Sequence, residues 1–164
     1  MIYLITFVCY GRHLHGSESG SVDRLHNAHR TPTLDVDAAR VAAELERMDQ
    51  VSYDLDEIRR DAVLKAIQDV CAHNDWNLLA AHVRTSHVHA VIVAEVAPER
   101  VMNAFKAYAS RRLNDRRVDA EGRKRRARHG STRHLWKPEQ LSAASQYVVN
   151  EQGDPMSIFE SKEF

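Results

Sequence analysis

Between residues 77 and 94 the chain carries two short apolar runs, Asn77-Leu-Leu-Ala-Ala-His-Val-Arg84 and His87-Val-His-Ala-Val-Ile-Val-Ala94, parted only by Thr85-Ser86. Runs of this length, rich in aliphatic residues and bounded by turn formers, predict two strands of one sheet. Strand side chains alternate, so Val88, Ala90, Ile92 and Ala94 share one face of the second run. His87, His89, Val91 and Val93 share the other. The two histidines then point the same way, roughly 7 Å apart along the strand. That spacing lets two imidazoles share one divalent ion. The fold must cover the valine face and leave the histidine face open.

The flanking periodicities supply the rest of such a fold. Residues 2–10, rich in β-branched and aromatic side chains and ending at Gly11, predict a first strand. Arg12 to about Pro32 reads as a long loop holding His13, His15, His26 and His29. Residues 35–48 favour a helix, with Asp35 as a candidate cap. From Asp54 or Asp56, the positions Leu55, Ile58, Ala62, Val63, Ala66, Ile67, Val70 and Cys71 repeat with helical spacing to about His73. Pro98-Glu99 opens another helix with the stripe Val101, Met102, Phe105, Ala109 and Leu113. A short strand is expected at 132–136, and Pro138-Glu139 starts a last helix that carries Tyr147. The order predicts an α+β protein: a ferredoxin-like βαββαβ antiparallel sheet with helices on one face and a C-terminal helix bearing the tyrosine.

Residues 1–164 read as a single domain, with a loop and helix insertion at 12–50 and a basic connection at 111–129. The formal net charge is zero, yet Arg111 to Arg128 hold nine basic residues against three acidic ones, a local +6. That asymmetry points to a polyanion-facing edge, with a solvated basic loop as the bland alternative. Cys9 and Cys71 sit among apolar neighbours, as buried thiols do in a reducing compartment. The first ten residues lack a basic leader region, and no segment has the length to cross a bilayer. A cytoplasmic protein is expected.

Tyr147 adds the second half of a chemical site. A phenol followed on a helix by Glu151, one turn on, offers a nucleophile and a third metal ligand together. Gln152, at i+5, competes for the ligand role if the turn loosens. Tyr108, in the preceding helix, is the runner-up nucleophile. A metal ion beside a nucleophilic tyrosine suits cleavage of a phosphodiester through a covalent intermediate. Arg111, Arg112, Arg123, Lys124, Arg125, Arg126 and Arg128 are candidate phosphate contacts, and Arg133 a contact nearer the site. Trp136 reads as a core residue, with base stacking by Trp136 or His134 as the alternative.

Several segments together resemble the single-tyrosine HUH transposases of the insertion-sequence TnpA type and their REP-associated tyrosine transposase relatives. These are Ile2–Gly11 with His15-Gly16 and Gly20–Arg24, Ser86-His-Val-His-Ala-Val-Ile-Val93, Phe105–Asn114, His129–Trp136 and Tyr147-Val-Val-Asn-Glu-Gln-Gly153. The resemblance implies a Mg²⁺ or Mn²⁺ ion held by His87 and His89, with Glu151 or Gln152 as third ligand. It implies Tyr147 as the nucleophile of a single-stranded DNA endonuclease and strand transferase that forms a 5′-phosphotyrosine link on hairpin-bearing DNA. It further implies a homodimer associated with the nucleoid. A domesticated hairpin-binding protein without turnover is the alternative.

Overall fold

The computed structural model describes residues 1–12 and 38–162. The long loop expected from Arg12 and the proposed cap Asp35 fall within 13–37, outside the described residues. β1 (Ile2–Cys9) buries Tyr3, Ile5, Phe7 and Cys9 on one face, the alternation its sequence predicts. α1 (Ala38–Glu46) is followed by α2 (Glu57–His73), β2 (Asn77–Val83), β3 (His87–Val93) and α3 (Pro98–Arg116). β4 (Arg126–His134), α4 (Pro138–Asn150) and β5 (Ser157–Glu160) complete the order. The protein is α+β, with one five-stranded antiparallel sheet in the order β4-β1-β3-β2-β5.

α2 begins where the Asp56 carboxylate accepts the Arg59 N–H, satisfying one of the unpaired donors of the first turn. Its buried stripe, Ala62, Val63, Ile67, Val70 and Cys71, packs with Val101, Met102, Phe105, Ala109 and Leu113 of α3. Both helices lie on the sheet face that carries Val88, Ala90 and Ile92. Burying a side chain the size of Ile67 or Phe105 stabilises by about 2–3 kcal/mol. α4 packs on the opposite face, where Ala144 and Val148 meet Leu79, Ala80, Val91 and Leu135. β2 is thus covered on both sides, which explains its unbroken apolar run.

Several expectations need correction. β5 was not foreseen, because four residues are too few for a periodic signal. β4 starts at Arg126 rather than at 132, since pairing of Arg126 with Cys9 of β1 overrides a sequence that looks like a solvated loop. The 111–129 connection therefore divides into the end of α3, a turn and a strand. Ile58 and Trp136 are exposed, at 62% and 73%. No helix among the described residues is long and apolar enough to cross a membrane.

Candidate active site

His87 and His89 project from β3, the middle strand, on the side away from α2 and α3. Their ring centroids lie 4.8 Å apart at 72°. His89 is 7% exposed, and its Nδ1 lies 2.7 Å from Oγ1 of Thr6, its cross-strand partner on β1. His87 Nδ1 lies 3.0 Å from Ser86 Oγ. A hydroxyl at one ring nitrogen fixes an imidazole's orientation and tautomer, as the outer partners of metal-ligating histidines do. Neither Thr6 nor Ser86 was singled out from sequence, because cross-strand register is not legible in a strand read alone.

α4 brings Tyr147 to this pair. Pro138 starts the helix, and the Gln140 side chain accepts the Lys137 and Trp136 N–H groups. Ala144 and Val148 seat α4 on the sheet, so Tyr147 stands at the margin of the buried stripe. Its ring is 5.3 Å from that of His89 at 67°, and the residue is 40% exposed. The helix stops at Asn150, and Glu151 takes the C-cap position with its N–H 3.3 Å from the Tyr147 carbonyl. Glu151 is thus the last residue held by a helical bond, and it is exposed. Gln152 turns back instead: its Nε2 donates to the Tyr147 carbonyl at 3.1 Å, and its Oε1 lies 3.4 Å from His87 Nε2.

The arrangement thus gathers two imidazoles, one amide oxygen and a phenol. Among the described residues no three His, Cys, Asp or Glu side chains converge as a metal-binding group, so exposed Glu151 does not join His87 and His89 in one. Two imidazole nitrogens with an amide oxygen nevertheless suit a divalent ion of borderline character that keeps other positions for water or phosphate. Tyr108 lies on α3, half-buried between His73 and the Arg111 guanidinium, across the sheet from the imidazoles.

The basic segment is mostly committed to internal contacts. Arg111 lies over the Tyr108 ring, and Arg112 pairs with Asp69. Arg123 donates to Gln50 and the Ser52 carbonyl, and Lys124 pairs with Asp49. Arg125 pairs with Asp119, while Arg126 donates to the Lys106 carbonyl and Ser110. Burial raises the Asp119 carboxyl, but hydrogen bonds from Tyr53, Arg125 and Arg59 outweigh it and hold the group below its ordinary range. Arg128 and Arg133 remain exposed on β4. Arg133 pairs in register with Leu4, itself opposite Val91, which puts it on the imidazole face. Trp136, expected in the core, stacks on His134 at 4.9 Å and 4° with its outer side in solvent.

A family model described as "Transposase IS200 like" matches residues 51–150. The chain is also similar to a solved structure described as "Structure of the REP associates tyrosine transposase bound to a REP hairpin", at 7% identity and a TM-score of 0.49. That match covers 92% of this chain and 65% of the other, so the chain spans just under two thirds of its length. No curated protein matches.

Proposed function

The chain belongs to the IS200-like transposase family, and from that premise we propose that it is a metal-dependent, single-tyrosine endonuclease and strand transferase acting on hairpin-bearing single-stranded DNA. The observation that carries the reading is the meeting of Tyr147, His87, His89 and Gln152 from two elements far apart in sequence. We read the inner strand order β4-β1-β3-β2, with α2 and α3 on one face, as a ferredoxin-like βαββαβ sheet that holds the site rigid. A homodimer working in the cytoplasm at the nucleoid completes the proposal.

In this reading His87, His89 and Gln152 hold Mg²⁺ or Mn²⁺, with Thr6 and Ser86 orienting the rings. The bound ion supplies charge withdrawal from the scissile phosphate. The Tyr147 oxygen attacks phosphorus in line, a Tyr–O–P bond forms, and the P–O3′ bond breaks. The phenolic proton is lost to solvent and the departing 3′ oxygen gains one, leaving a free 3′-OH and a 5′-phosphotyrosine. A 3′-OH from another strand reverses the step and restores the phenol, so rejoining needs no nucleotide cofactor. Arg133, on the same face, meets a phosphate of the bound strand.

The test is an adduct that survives denaturant when the protein meets labelled hairpin-bearing single strands with Mn²⁺. Tyr147→Phe should abolish it and Tyr108→Phe should keep it. An adduct that persists in Tyr147→Phe overturns the assignment. The neutral third donor, Gln152, favours weaker ion binding than a carboxylate gives, which keeps the hairpin-binding protein without turnover as the second reading. Tight hairpin binding with no adduct on any strand tested would establish it.

A further inference from the structure

On the reading that Tyr147 is the nucleophile, we infer that His82 is a positioning residue that sets where the tyrosine and Gln152 stand relative to the imidazole pair. His82 lies on β2, fully buried, as the cross-strand partner of His89. Its Nδ1 is 2.9 Å from the Val148 carbonyl, and its Nε2 is 3.1 Å from the Met156 amide nitrogen. Arg84 Nη1 approaches the same Nε2 at 3.5 Å. A carbonyl only accepts, so Nδ1 carries the hydrogen. Nε2 faces two donors, so it accepts. One neutral tautomer meets both demands, and the other meets neither.

The two backbone groups are not incidental. The Val148 carbonyl is among the last four of α4, which have no partner within the helix. A side chain of the sheet supplies that partner directly after Tyr147. Met156 N–H marks the approach to β5. One imidazole therefore clamps both ends of residues 149–155, the stretch that contains Gln152. Arg84 adds a third tie, donating from Nη1 to the Asp154 carbonyl at 2.7 Å. A leucine or phenylalanine would fill the same space but leave a buried carbonyl and a buried N–H unpaired. The clamp fixes the Gln152 turn against β2 while Thr6 fixes His89 from β1, so the site is braced from both neighbouring strands.

The experiment compares the full chain with His82→Phe, which keeps the volume, and His82→Asn, which keeps a donor near the Nδ1 position. Arg84→Gln serves as a milder variant should His82→Phe not fold. Hydrogen exchange of the amides of 149–156, imidazole ¹⁵N shifts, hairpin Kd and the rate of adduct formation with Mn²⁺ are read together. In His82→Phe the amides exchange faster and the adduct rate falls on the order of 10²-fold, with hairpin Kd changed by about twofold or less. His82→Asn recovers part of the rate. An unchanged adduct rate in folded His82→Phe, unchanged exchange across 149–156, or a wild-type proton on Nε2 would each overturn the inference. If the wild type forms no adduct, the catalytic reading fails while exchange and ¹⁵N shifts still decide whether His82 clamps the arm.

Discussion

Among the described residues Lys106 has no carboxylate against it. It is 3% exposed under β4, its Nζ donates to the carbonyls of Ala127 and His129, and burial, aided by the Arg126 charge, pulls its ammonium from 10.5 down to about 8. Below pH 8 both folded and unfolded chains carry the proton, so the full cost of burying the charge is present. Above it the folded chain releases the proton first, and stability rises by about 1.4 kcal/mol per pH unit. Burial pushes the thiols of Cys9 and Cys71 from 9.0 up to about 12, which has the opposite sign: above pH 9 the unfolded thiols ionise and stability is lost. Two losses outweigh one gain, so urea denaturation from pH 7 to 10 should show stability rising to about pH 9 and then falling. Lys106→Met should remove the rise and keep the fall. Gly130 is a second pressure point. A Cβ there would meet the Thr6 carbonyl at 2.4 Å and Met102 Sδ at 2.6 Å. Gly130→Ala should cost about 1–3 kcal/mol in the same assay. It should also shift the imidazole resonances of His89, since Thr6 holds that ring.

At the scale of elements, the junction of α3 and β4 is organised around Asp119 rather than exposed for a ligand. Its carboxylate accepts from the Tyr53 hydroxyl, Arg59 and Arg125, and its side chain is 6% exposed. Asp119→Asn should leave Arg125 short of a counter-charge and Arg59 with Asp56 alone, and cost about 3 kcal/mol, read as a lowered denaturation midpoint. These contacts show what sequence could and could not reveal. The stripes of α2 and α3 and the two faces of β3 were legible, because each repeats over several turns or pleats and burial enforces the period. The candidate site was legible only as residue types: two imidazoles one pleat apart and a tyrosine on the last helix. Which of Glu151 and Gln152 approaches His87 depends on where α4 ends, and a helix end is set by capping contacts rather than periodicity. Arg123 to Arg126 looked like a polyanion surface because charge alone does not reveal that Asp49, Gln50 and Asp119 await them.

For the molecule as a whole, the balance of spent and available charge would set how salt affects the proposed DNA binding. Arg116, Arg117, Arg128 and Arg133 are exposed and enter no ion pair among the described residues. If these four meet phosphates, they contribute a slope of about −3 in log K against log salt for a single strand, against about −7 for all ten basic residues from Arg111 to Arg133. Arg128→Gln with Arg133→Gln should flatten the measured slope by about 1.4 and weaken all sequences alike. Among the described residues the two sides of the sheet are dressed unequally: α2 and α3 cover one, while α4 alone lies over β2 and β3 on the other. If the proposed function holds, a guest strand that meets Arg133 on β4 would reach the phenol across the imidazole face without displacing α2 or α3, which lie behind the sheet.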